Sequence, residues 1–480
     1  MENNLFYSNI ININKQLMLF MAIVIAIFFG WLMSGAGLKV ASLLILSPFI
    51  IGFVILVFFN PRLGFVTFII YSFFMPTLVK HTDGGQFGLG VDALLVLTWL
   101  GVIFYRTHKF KFRHINTDLF WLAVVWLIVT ILQILNFESP NIVGWLQEMR
   151  SATLYWVLVV PLTILVFNKK TDVQFFLDLI ILISFLGALY GIKQLYFGVD
   201  DAENRWLMAG AKQTHLIFGK LRIFSFYTEA AQYGASQAHV AIVCFILALG
   251  PQKKLRNLCY LIAGLFIFYG MIISGTRSAL AGIFIGGLIY LILCKQVKII
   301  FLGVIIGIGF LSFLKFTYLL NGNDNIRRLR SGVDANDASF LVRLQNQRIL
   351  KEALKNKPFG TGVGTIGEWG KTYNKHISTA QIPPDSLLVK VWVMYGITGL
   401  ILWLGIMCYI LGKSMGIIWN TRDPVLRNHL SALCAGYGGV LVISYGNEIM
   451  NALPSSTIVF VSWALIWMST RWDTPIKQTA

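Results

Sequence analysis

The sequence predicts an all-α, polytopic integral membrane protein with about 14 (12–14) transmembrane helices. Of its 480 residues, 57% are hydrophobic and 12% charged, proportions outside those of soluble domains. Runs such as "LMLFMAIVIAIFFGWLM", "ASLLILSPFIIGFVILVFF" and "AVVWLIVTILQIL" approach or exceed the roughly 20 residues that cross a hydrocarbon core about 30 Å thick. In such a core each backbone polar group must be satisfied within its own segment, which makes the runs helices.

The expected spans lie near 17–35, 37–59, 62–80, 88–105, 118–136, 151–168, 173–196, 230–249, 257–274, 277–294, 297–315, 385–411, 428–447 and 451–470. The first lacks an A-x-A-like cleavage site and is read as a retained helix. Short loops carrying "YRTHKFKFR", "NKK", "PQKKLRN", "CKQVK" and "RDPVLRN" fall on alternate sides of the spans, as one cytoplasmic set should, and leave both termini cytoplasmic. The intervening loops then face outward, including a long one near 316–384. Four regions follow: N-terminal helices (1–140), a central membrane region (141–315), the extracytoplasmic loop (316–384) and C-terminal helices (385–480).

The net charge of +18 is spread over interhelical loops, which fits anionic headgroups better than nucleic acid. Cys244, Cys259, Cys294, Cys408 and Cys434 lie in or beside apolar runs without C-x-x-C spacing and read as small packing residues. The seven histidines are scattered, no pair has a liganding spacing on one helix, and neither metal nor other cofactor is expected. "GVGTIG", 362–367, fits a dinucleotide fingerprint in letters only, because it follows a helix ending at "KNKP" rather than a strand. A glycine turn leading back to the membrane is expected there, with hinge freedom at 360, 362, 364 and 367.

Within the long loop, "DASFLVRLQNQRILKEALKNKP" reads as a helix capped by Asp337 or Ser339 and ended by Pro358. Phe340, Leu341, Leu344, Ile349, Leu350 and Leu354 would line one side, leaving Arg343, Arg348, Lys351 and Lys355 as a basic face on the membrane surface.

"SGTRSAL", 274–280, interrupts two apolar helices. Arginine at the edge of a span usually faces a cavity, a partner or a pathway, and Gly282 and Gly286 would let the second helix pack closely on a neighbour and turn Arg277 inward. Arg150, Arg222, Glu229, Asp385 and Glu448 share its expected outer rim. Guanidinium forks at one depth suit a diphosphate, and a carboxylate at that depth supplies a base.

"IISGTRSALAGIFIG", "RLQNQRILKEALKNKPFGTGVGTI" and "PPDSLLVKVWVMYGITGLILWL", in that order, resemble the O-antigen ligase and polymerase superfamily of bacterial envelope glycosyltransferases, over roughly residues 140 to 470. The resemblance implies a GT-C-like fold in the bacterial cytoplasmic membrane. It implies metal-independent, inverting transfer of glycan from a polyprenyl (undecaprenyl) diphosphate carrier to a hydroxyl of a glycan, lipid or protein acceptor on the outer face. Family arginines that hold the diphosphate match Arg150, Arg222 and Arg277, with Arg343 aligned less closely. Many ligases open the return helix with a histidine; here Asp385 stands there, so Asp385 or Glu229 is the candidate catalytic base, with His376 third. Ligase and polymerase are not separated. A transporter or flippase for lipid-linked glycans is the alternative from another class, followed by a membrane scaffold.

Overall fold

The computed structural model describes residues 45–473, apart from 83, 84, 86, 106–109, 139, 218, 320, 321, 323 and 333–337, together with residues 23 and 30. The expected first span at 17–35 and the Asp337 cap thus fall outside the described residues. Among those residues the chain is all-α save for one two-stranded hairpin.

The elements are α1 (Ile45–Phe59), α2 (Pro61–His81), α3 (Gly88–Leu100), α4 (Asp118–Leu132), α5 (Ile142–Met149), α6 (Tyr155–Val166), α7 (Lys170–Phe197), α8 (Asp201–Trp206) and α9 (Lys212–His215). Strands β1 (Leu216–Ile217) and β2 (Lys220–Leu221) follow. Then come α10 (Ala230–Ala248), α11 (Lys254–Ser274), α12 (Arg277–Leu293), α13 (Val297–Phe316), α14 (Asp324–Ser331), α15 (Ala338–Ala353), α16 (Gly367–Tyr373), α17 (Leu387–Asn420), α18 (Pro424–Ile443) and α19 (Ser455–Ser469). Eight helical stretches are long and apolar enough to cross a membrane, and four shorter apolar helices accompany them, among the described residues. The protein is a multi-pass membrane protein, and the lipid solvent explains its surface: along α13, Val297, Phe301, Ile306 and Ile308 are exposed, a pattern that water would penalise and hydrocarbon does not.

The described residues fall into two compact units, those within 1–64 and 97–106, and those within 65–96 and 107–480. In the smaller one, Gly101 begins a π turn (Gly101–Tyr105) where a side chain would strike the Phe58 carbonyl. In the larger one, α10 is buried along almost its whole length and packs against α11, α12 and α18. Small residues permit this closeness. A Cβ on Gly282 would lie 3.0 Å from the Gly439 carbonyl oxygen, and one on Gly286 would lie 2.6 Å from that of Ala435. The G-x-x-x-G of α12 therefore seats it on α18, as its spacing predicts.

Three boundaries differ from the sequence expectation. The segment expected to span 151–168 is helical from Ile142, because the Asn141 side chain accepts from the Val143 and Gly144 amides and caps it there. A π turn over Arg150–Leu154 joins α5 to α6, so Glu148 and Arg150 sit inside a continuous helical stretch rather than in a loop. α17 runs well past 411 and is broken at Gly396, whose backbone is φ 71°, ψ −172°. The carbonyls freed by that break are satisfied from outside the helix, since Val393 and Met394 accept from the Thr361 and Gly362 N–H groups at 2.8 and 3.1 Å. Non-helical backbone among membrane helices is tolerated where protein satisfies it in this way. The glycine stretch 360–367 is accordingly packed against α17 and α5, a use of glycine for close approach rather than as an open hinge.

The helix of the long loop forms as α15, with a different inward face. Leu350 and Leu354 are buried, whereas Phe340, Leu341 and Ile349 are exposed. Arg343, Asn346 and Leu350 fall on one side at helical spacing, so polar residues share the face turned to the protein.

Candidate functional site

The turn between α11 and α12 is built by the residues that interrupt the apolar sequence. Gly275 takes the left-handed conformation, φ 61°, that reverses the chain after Ser274. The Ser274 hydroxyl donates to Thr276 Oγ1 at 3.0 Å, and Thr276 Oγ1 donates to the Ala230 carbonyl at 3.0 Å. The turn is thereby fastened to the start of α10, and Arg277 opens α12 one residue later. On the other side, the β hairpin pairs Leu216 with Leu221 and Ile217 with Lys220, and the Arg222 amide continues it by donating to the His215 carbonyl at 2.7 Å. α14 packs on α11 and α12 and brings the Arg328 side chain against Gly275.

Arg328, Arg277 and Glu229 thus all act on Arg222. Burial first, then the positive charges of Arg328 and Arg277, push the Arg222 guanidinium down to about 10 while Glu229 opposes them. For Glu229, burial raises the carboxyl above its usual value, Arg222 lowers it and Glu448 raises it further. Glu229 retains accessible surface because it opens onto a cavity, although protein surrounds it.

That cavity, about 560 Å³, is lined by Glu148, Glu229, Glu368, Asp385 and Glu448, with Lys390 the cation on its wall. Tyr155, Gln232, Trp369 and Asn447 contribute polar and aromatic surface. The residues come from the starts of α10 and α17, the end of α18, and α5, α16 and their flanking turns. Lys390 Nζ lies 2.9 Å from Glu148 Oε2 and 2.8 Å from Glu448 Oε2, a buried ammonium shared by two carboxylates. Asp385 adopts φ 53°, one of three positive values at non-glycine residues among the described residues. Aspartate tolerates this region better than most side chains. Asn346 Nδ2 donates to Asp385 Oδ2 at 3.2 Å, so α15 helps to orient the carboxylate.

The sequence candidates are distributed as follows. Asp385 and Glu229 face the same cavity. Arg222 and Arg277 belong to one charge cluster beside Glu229. Arg343 approaches Gly446, in the turn that carries Asn447 and Glu448. Arg150 stands apart: it pairs with Asp92, donates to the carbonyl of Gly88 at 3.3 Å, and Asp92 also accepts from the Tyr155 hydroxyl at 2.9 Å. Through Tyr155 this group backs the cavity wall.

Arg328, Glu148 and Lys390 were not among the sequence candidates. A signal existed for each. Lys390 and Glu148 are charged residues in apolar surroundings, "SLLVKVW" and "VGWLQEM", where ionisable groups are functional candidates by default. Arg328 lies in the basic "NIRRLR", whose position above the 274–277 turn depends on tertiary packing.

No curated protein matches the chain. Residues 261–404, from within α11 to within α17, match the family model of O-antigen ligase.

Proposed function

We propose that the chain is a metal-independent, inverting glycosyltransferase that moves glycan from a polyprenyl diphosphate carrier to an acceptor hydroxyl on the outer face of the cytoplasmic membrane. The observation that carries this reading is the adjacency of the arginine cluster to Glu229 on a carboxylate-lined cavity. Arg222, Arg277 and Arg328 would hold the diphosphate, with Arg343 as an outer support, while Arg150, paired with Asp92, would back the cavity wall through Tyr155. Asp385, oriented by Asn346, would take the proton of the acceptor hydroxyl, with Glu229 as the alternative base. The hydroxyl oxygen attacks the anomeric carbon, the bond from that carbon to the diphosphate oxygen breaks, and the arginines stabilise the charge that develops on the leaving group. Inversion requires the base and leaving group on opposite sides of the sugar. Asp385 suits this better than Glu229, which is coupled to Arg222. The break in α17 is filled by residues 358–362 of the same chain, which favours transfer over translocation.

The test is release of polyprenyl diphosphate by the purified protein in liposomes, with a chelator present and lipid-linked glycan plus an envelope acceptor extract added. Wild type should release it, and Arg277→Ala, Arg328→Gln and Asp385→Asn should each be slower by about a hundredfold or more. The mass of the product separates polymer from ligated glycan. No release by well-folded wild type, with acceptor shown to be present, overturns the reading.

A further inference from the structure

Five carboxylates and one ammonium line the cavity, an odd wall for a site beside a diphosphate. Two residues of that wall, Glu148 and Gln232, each carry a buried acceptor without a hydrogen-bond partner, Oε1 in both. Both residues are only 1% exposed. Gln232 cannot turn its amide to relieve this, because Nε2 already donates to the Leu453 carbonyl at 3.1 Å and to Ser455 Oγ at 3.2 Å. Glu148 likewise spends its other oxygen on Lys390. Buried acceptors without donors are costly unless a bound group supplies the donors. Among the described residues no three acidic, histidine or cysteine side chains converge as metal ligands, so the missing donors point to N–H and O–H groups. Trp369 adds an apolar aromatic face, the mixed lining typical of small-molecule sites.

We propose that this cavity is a sugar subsite that selects a unit rich in hydrogen-bond donors, favours one bearing a free amine, and rejects one bearing a carboxylate. The inference deepens the transferase reading and rests on it for the statement that the bound sugar is a reactant. Its physical basis is separate. Hydroxyls and an ammonium supply donors to the wall, whereas a carboxylated sugar brings a further negative charge into a space already holding several.

The probes are methyl glucoside, methyl glucosaminide and methyl glucuronide, alike in ring and different in one substituent. Binding to the full-length protein in nanodiscs is read by saturation-transfer NMR and titration at neutral pH. The glucosaminide should bind about tenfold more tightly than the glucoside, equivalent to about 1.4 kcal/mol, and the glucuronide should not bind measurably. Glu368→Lys reverses one exposed charge on the wall and should admit the glucuronide while weakening the glucosaminide, a gain that a merely damaged protein cannot produce. Equal binding of the three sugars, preference for the glucuronide, or no binding of any overturns the inference. Diphosphate release that persists while the sugar preference fails removes the subsite alone; a correct preference without diphosphate release removes the transferase instead.

Discussion

Lys390 Nζ lies 2.9 Å from a carboxylate oxygen of Glu148, a side chain only 1% exposed. Two ionised groups this deep are stable only as a set. Lys390→Met should leave Glu148 charged, buried and unpaired, at a cost of about 3–5 kcal/mol. The expected result is a clear fall in the unfolding temperature of the detergent-purified protein, partly restored when Glu148→Gln is added. Unchanged stability of the single variant would count against a structural role for the pair.

Gly396 should tolerate no side chain. Its φ is 71°, and a Cβ there would lie 1.9 Å from the Pro358 carbonyl oxygen, so Gly396→Ala must push the 358–362 strap off the break in α17. A loss exceeding about 1–3 kcal/mol is expected from backbone strain together with the clash. Gly405, in the same helix with nothing within 4 Å, is the control. Gly405→Ala should be neutral or stabilising by up to about 1 kcal/mol, and similar melting curves for the two variants would contradict the packing argument.

The two candidate bases can be separated by pH. A base acts when deprotonated, so kcat/KM should rise with pH through its pKa and level off above it. With Asp385 as base, Asp385→Asn should cost about 10²–10⁴-fold and flatten the acid limb, while Glu229→Gln slows the reaction but keeps that limb. With Glu229 as base the limb disappears in Glu229→Gln. It would also lie above the usual glutamate range, because burial raises that carboxyl.

His215 should make the region around the arginine cluster acid-sensitive. Its ring packs between Trp206 and Phe224, Nδ1 donates to the Ala211 carbonyl at 3.0 Å, and Nε2 accepts from the Ala230 amide at 3.4 Å. Burial holds it neutral, with its pKa down to about 4 from 6.5. Between those values the unfolded chain binds the extra proton, so stability is fully present above about pH 6.5 and falls as pH drops toward 4. Melting temperature against pH should therefore slope over this window in wild type and be flatter in His215→Gln. Parallel curves for the two proteins would exclude His215 as the source.

The membrane class, most helices and the close packing of α12 on a neighbour were legible in the sequence, because apolar length and small-residue spacing are local properties; that the neighbour is α18 was not. Asp385, Glu229, Arg222 and Arg277 were legible as polar groups at helix edges, where their presence has an energetic cost that asks for a reason. The start of α5 was missed because a cap by Asn141 competes with a hydropathy boundary placed by charge. The inward face of α15 was misjudged because Arg343 and Asn346 face protein polar groups, which no amphipathic pattern reveals.

By itself the sequence determined which residues are too polar for their surroundings and which helices are apolar enough to span. Tertiary structure alone decided which of those polar residues meet. Arg328 reaches Gly275 only because α14 packs over α11 and α12. Glu148 and Glu448, 300 positions apart in number, share Lys390 because α5, α17 and the turn after α18 converge. Arg150 is drawn to Asp92 instead of the cluster. Charge strength falls with distance, and distance between remote residues is fixed by helix packing rather than by chain order.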